Sequence, residues 1–297
     1  FTYGVGTLLA LLANEFETLL LARVVSAFGA AVGSVVTQTM LRDSYQGGEL
    51  ARVFSVMGIA LSLSPVLGLV SGGLLAEQFG YLGVFSGLLV LAALLLLVAG
   101  RWLPETRPAS TQRVALWPLA GKMARDGGLW RSAALVALFN TMLFGYYSLA
   151  PFLFDGLGLR VSDFGYSGIL LALATLFGSL LNKQLLGRGW LPSSLIRLAC
   201  TLALVCGLLV WASQASLWFL LPMMGTVVAY GVAIPNVLSE ALQAYRAVAG
   251  SAGALFGLAY YLLLSLGLAV AASLQDLGLL LASCGLLALL CSGRRST

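Results

Sequence analysis

An arginine inside an apolar run is the first residue whose chemistry asks for an account. Arg23 stands in LLLARVVSAFGAAVG. A guanidinium near the centre of a lipid-crossing helix costs about 2.5–3.5 kcal/mol on insertion scales, so it normally meets a partner or a wet cavity. Arg23, Ser26, Ala27, Ala30, Ser34, Thr37 and Gln38 share one helical face. The remaining surface, from Leu20, Leu21 and Val24 to Phe28, Val32, Val35 and Val36, is apolar. Polarity is therefore sorted by angle around the helix and not by depth, which favours a cavity-lining stripe. The alternative is snorkelling, since Arg23 lies only ~7.5 Å from the outer end of its helix at the standard rise.

Hydrogen-bonding and aromatic groups recur in the second half. Asn140, Phe144 and Tyr147 share one face, Thr175, Ser179 and Asn182 a second, and Thr226 and Tyr230 a third. Such groups line pockets for small organic ligands, and they also join helices to one another. Gly58, Pro65, Gly68, Gly72 and Gly73, in GIALSLSPVLGLVSGG, predict a kinked and tightly packed helix. Asp155, Arg160 and Asp163 read as a solvated outer turn. The acids from Glu15 to Asp276 all fall at span ends or in loops. A proton-titrating carboxylate is therefore expected on helices preceding Phe1.

These residues need a membrane to position them. The chain is 60% hydrophobic and 9% charged with a mean hydropathy of +0.98, where soluble domains carry about 25% charged residues. Apolar runs near the ~20 residues that span a bilayer recur throughout. They predict an all-α polytopic protein with ten helices, at roughly 1–13, 18–41, 52–75, 80–102, 132–154, 164–182, 194–213, 216–238, 250–273 and 277–293. Fourteen of the sixteen bases then fall on one side, leaving Arg160 opposite and Arg23 within a helix. The base-rich side is expected to be cytoplasmic and to hold the C-terminus. The net charge of +5 is thus accounted for by loops beside anionic lipid, without nucleic acid.

A Pro-containing polar stretch divides the chain into a helical remnant over 1–102, a cytoplasmic linker over 103–131 and a six-helix bundle over 132–297. Four helices precede the linker and six follow it, so two are expected to be missing from the front of a six-plus-six arrangement. The absence of histidine and the burial of Cys200, Cys206, Cys284 and Cys291 in apolar runs argue against a metal site or a disulfide framework. With no cluster of interfacial acids either, a membrane-embedded enzyme is not expected.

The segment LLLARVVSAFGAAVG, with Arg23 and Gly29, resembles the fourth-helix motif of the major facilitator superfamily. ARVFSVMGIALSLSPVLGLVSGG, with Pro65, Gly68, Gly72 and Gly73, resembles its fifth-helix antiporter motif. RDSY at Arg42–Tyr45, IPN at Ile234–Asn236 and AGSAGALFG from Ala249 to Gly257 are similar to segments of the Bcr/CflA-type drug-resistance exporters. The chain departs from that pattern at Ser26 and Ala27, where glutamine and glycine are usual, and at Leu69, where a second proline is usual. The resemblance implies two six-helix bundles about a midplane cavity, working by alternating access as a drug:proton antiporter. It further implies a monomer in the bacterial inner membrane, with the proton gradient as energy source and no cofactor. Its partners would be a small amphipathic substrate, protons and the bilayer. Arg23, Ser26, Ser34, Gln38, Asn140, Phe144, Tyr147, Thr226 and Tyr230 would line the substrate and proton pathway, while Gly29, Pro65, Gly68, Gly72 and Gly73 would serve packing and gating. A metabolite exporter or symporter on the same fold satisfies the same residues.

Overall fold

The computed structural model describes residues 1–45, 47–103 and 115–293. Part of the expected linker, residues 104–114, lies outside them, as do the side chains of Ser34 and Gln38 and the bases Arg294 and Arg295. Every described element is helical. The chain divides into two compact units, Phe1–Gln112 and Arg113–Thr297.

The first unit holds α1 (Thr2–Leu12), α2 (Phe16–Ser44) and α3 (Gly47–Trp102). At the standard rise, the 56 residues of α3 would make a straight rod of ~84 Å, far longer than a bilayer is thick. The rod is broken at Gly80, whose φ of 64° and ψ of −159° lie where only glycine sits comfortably. A Cβ on Gly83 would come within 3.0 Å of the Leu75 carbonyl, and one on Gly87 within 3.0 Å of the Leu75 side chain. Residues eight apart on one straight helix are ~12 Å apart, so the chain turns back at Gly80 and the two limbs pack together. The two runs read at 52–75 and 80–102 are these limbs, joined without a loop.

α1 lies against α2 at two close crossings, Gly6 on Ser26 and Gly29 on the Tyr3 backbone. Close approach of this kind joins helices where lipid supplies no hydrophobic drive. Within the first unit, nothing among the described residues lies within 4 Å of a Cβ at Gly68 or Gly72. Gly68 is exposed and Gly72 half-buried, whereas Gly73 is buried. The expected kink differs. The non-helical dihedrals fall at Gly80 and not at Pro65, which stays inside the helix.

The second unit holds α4 (Leu116–Ala124), α5 (Gly127–Gly156), α6 (Val161–Gly187), α7 (Pro192–Ser213), α8 (Leu220–Ala241), α9 (Ala249–Leu274) and α10 (Leu277–Gly293). Helix α4 falls in the stretch read as a polar connection. Leu119 and Met123, four residues apart, put two apolar side chains on one face against the core, while Trp117 on another face is 90% exposed. The six longer helices pack in the order α6, α8, α7, α10, α5, α9, with α5 also meeting α8. Gly278 and Gly285, seven apart on α10, lie on the backbone of α7 at Trp211 and Leu204. Gly207 on α7 answers against Leu281 and Ala282. Arg131 on α5 donates to the Ser292 carbonyl at 2.8 Å and so satisfies an acceptor in the last turn of α10.

Among the described residues, six helical stretches are long and apolar enough to cross a bilayer: 67–102, 127–156, 161–187, 192–213, 217–245 and 250–274. Thr2–Leu12 and Leu277–Gly293 are apolar but shorter. The protein is an all-α, polytopic membrane protein. The ten runs read from sequence are all helical, but crossing length holds for fewer of them among the described residues.

Candidate functional site

The first unit presents Arg23 on an exposed side of α2, its guanidinium carbon 5.7 Å from the centroid of the Phe85 ring. That spacing is a cation–π contact. Phe85 belongs to the second limb of α3, which reaches α2 only because the chain reverses at Gly80. An aromatic face orients the guanidinium without cancelling its charge, as a carboxylate would. The rest of the stripe is divided. Ser26 is buried at the α1 crossing and donates to the Ala22 carbonyl at 3.0 Å, so it serves packing there. Ala30 borders an apolar cavity of about 720 Å³ with Leu8, Leu96 and Gly29, a residue off the stripe that packs on Tyr3.

The second unit gathers four of its five predicted residues. Asn140 donates its amide to the Val136 carbonyl at 2.8 Å, one turn back on α5. Its Oδ1 faces the Tyr230 hydroxyl across to α8 at 3.4 Å. Phe144 and Tyr147 stack edge to face one turn along α5, centroids 5.9 Å apart. Thr226 is not among them: it is buried and turns its hydroxyl to the Pro222 carbonyl. Thr175 likewise bonds its own helix at Leu171. Asn182 meets Asn236 at 2.6 Å in a buried bridge between α6 and α8. Asn236 also returns to the Val232 carbonyl, in the stretch where Pro235 lacks an N–H to continue the helix ladder.

Helix α9 adds residues that the sequence reading passed over. Tyr260 and Tyr261 hold their rings 4.5 Å apart, Phe256 stacks on Tyr260 at 5.7 Å, and both tyrosines lie within electrostatic range of Tyr230. The signal was a Tyr-Tyr pair inside an apolar span. Together α5, α8 and α9 set phenol, phenyl and amide groups on one neighbourhood of the unit. This neighbourhood can stack on planar groups and share hydrogen bonds, which is the chemistry of binding.

A second polar cluster ties the start of α5 to the connection after α8. Asp126 caps α5 by accepting from Gly128 N at 2.9 Å and Leu129 N at 3.1 Å, and the Tyr245 hydroxyl donates to its other oxygen at 2.9 Å. Lys122 on α4 stands 5.5 Å from the centre of the Tyr245 ring. Burial opposes the charge on Asp126, but the hydrogen bonds from Leu129, Tyr245 and Gly128 and the Lys122 cation outweigh it, holding the carboxyl below its ordinary 3.8. A depressed carboxylate contributes stability above the unfolded pKa and loses it as pH falls through the folded one. Tyr245→Phe is therefore expected to lower stability by about 1 kcal/mol. The difference from wild type should be constant from pH 6 to pH 8 and shrink only in strong acid, as thermal melts in detergent will show.

A family model described as Major Facilitator Superfamily matches residues 1–291. An "Uncharacterized transporter" of Rickettsia bellii (strain RML369-C) is 32% identical over 279 residues, covering 89% of this chain and 69% of the relative. "Multidrug resistance protein D" of Escherichia coli (strain K12) is 28% identical over 310 residues, covering 97% of this chain and 75% of the relative. Among solved structures, a bacterial homologue of the human lysosomal transporter Spinster, inward-facing and occupied, superposes with a TM-score of 0.64 at 20% identity. That match covers 96% of this chain and 65% of the solved one, and it speaks for the fold. The helical architecture and the family match agree in placing the protein among membrane transporters and not enzymes: the chain belongs to the Major Facilitator Superfamily.

Proposed function

We propose that the intact protein exports drugs or other small amphipathic molecules in exchange for protons, its substrate site opening in turn to each side of the membrane. The observation that carries this reading is the cluster of Asn140, Phe144, Tyr147 and Tyr230 with Tyr260 and Tyr261, which offers π faces and hydrogen-bonding groups for an amphipathic solute. Arg23, exposed and held by Phe85, supplies a retained positive charge that lowers the pKa of a titrating carboxylate brought near it. Similarity to the multidrug resistance protein supports drugs as the substrate class. In this reading the protein works as a monomer in the bacterial inner membrane, without a cofactor and on the proton gradient. The C-terminus faces the cytoplasm, as the one-sided distribution of bases suggests.

The test is transport in proteoliposomes carrying an imposed pH gradient, comparing ethidium and chloramphenicol with a panel of sugars, amino acids and nucleosides. Protonophore-sensitive movement of the drugs is the expected result. Coupled movement of a metabolite alone would establish the metabolite transporter instead.

A further inference from the structure

One cavity plays no part in the transport reading. It has a volume of about 470 Å³ and lies where the C-terminal end of α5, the first turns of α6 and the start of α8 meet. Its walls include Phe154, Ile169, Leu170, Leu217 and Leu220, and Asp163 also lines it. Buried Ser167, which also lines it, is already satisfied: it shares a 2.6 Å hydrogen bond with Tyr146 and donates to the Phe164 carbonyl at 2.6 Å. Whatever reaches that depth gains nothing from being polar, and the apolar walls favour a hydrocarbon chain.

Charge appears only towards the start of α6. Asp163 stands 3.8 Å from the Arg160 guanidinium, with side chains 32% and 71% exposed. The Asp163 Oδ2 accepts from the Arg160 backbone N–H at 2.9 Å, and its Oδ1 makes no hydrogen bond among the described residues. One cation and one anion, three residues apart, match a headgroup that itself carries one anion and one cation. With Asp155 at the end of α5, this turn has one more acid than base, so the cationic end of the headgroup gains most. A primary ammonium brings N–H donors to a carboxylate, whereas a quaternary ammonium brings none.

We propose that this cavity binds an ethanolamine phospholipid, with one acyl chain against Ile169, Leu170 and Leu217, the ammonium on Asp163 and the phosphate towards Arg160. The site rests on embedding in a bilayer and not on the transport reading. Lipid binding can therefore succeed or fail whatever the protein carries.

Native mass spectrometry of the purified chain, titrated in detergent with phosphatidylethanolamine, phosphatidylcholine or phosphatidylglycerol of identical acyl chains, tests it. The expected result is tighter retention of one phosphatidylethanolamine than of either other lipid. Asp163→Asn keeps an oxygen to cap α6 and removes only the charge, and should weaken that lipid roughly fivefold. Ile169→Trp alters a side chain that is 43% exposed and fills the cavity, and should remove the tightest-bound lipid outright. Equal retention of the three lipids by wild type overturns the proposal. So does an ethanolamine preference that survives Ile169→Trp in a variant whose melting temperature matches wild type.

Discussion

Arg23→Ala, in a transport-competent form of this protein, is expected to abolish proton-driven export: drug movement under a pH gradient should fall at least tenfold and become insensitive to protonophore. A cation within a few ångströms of a carboxylate favours its charged form, and each tenfold change in proton affinity corresponds to about 1.4 kcal/mol. In the proposed proton exchange, an acid deprived of Arg23 keeps its proton to higher pH, so residual transport should have its half-maximum displaced upward. Phe85 makes the effect separable from a loss of fold. Phe85→Leu keeps the charge but removes the aromatic face 5.7 Å from the guanidinium. A cation–π contact contributes about 0.5–2 kcal/mol depending on desolvation, so that variant should retain coupling with a smaller upward displacement. Arg23→Lys preserves a cation but not the flat, stackable group, and should fall between the two. Unchanged coupling in Arg23→Ala would remove this residue from the mechanism.

The membrane architecture was legible because its cause is local. A run such as the one over 277–293 is apolar from end to end, and α10 spans those same residues. The reversal at Gly80 was legible as a gap between two runs but not as a turn without a loop, because a positive φ leaves no hydropathy signal. Helix α4 was hidden for the opposite reason: Leu119 and Met123 make a face of only two residues in a segment whose prolines and bases dominate its composition. At the site, helical spacing correctly grouped Asn140, Phe144 and Tyr147, because residues one turn apart on one helix must share a face. It could not show that Ser26 would be consumed by a crossing with Gly6, since that depends on which helix arrives from elsewhere in the chain. Phe85 carried no signal at all. A phenylalanine in a greasy helix is ordinary until the chain reverses and sets it beside Arg23.

Tyr230 should separate substrates by their hydrogen-bonding groups. Its hydroxyl lies 3.4 Å from Asn140 Oδ1, longer than the 2.5–3.0 Å usual for an O–H···O bond. The pair is loosely held, and the Tyr230 proton can pass to a ligand acceptor at little cost to the fold. Asn140 is anchored by its amide to Val136 at 2.8 Å, so the donor and not the acceptor is the adjustable partner. Tyr230→Phe is therefore expected to weaken apparent affinity about three- to tenfold for a substrate with a carbonyl or hydroxyl acceptor, the scale of one net hydrogen bond. A dye without an acceptor should be unaffected. Tyr230→Ala removes the ring as well, and should cost both kinds of substrate about tenfold, since an aromatic contact adds about 0.5–1.5 kcal/mol beyond its buried area. A double-mutant cycle with Asn140→Ala should show small coupling in the empty protein, read as stability, and larger coupling when an acceptor-bearing drug is bound. Equal losses for both substrates in Tyr230→Phe would mean that this hydroxyl holds α5 to α8 and does not touch the solute.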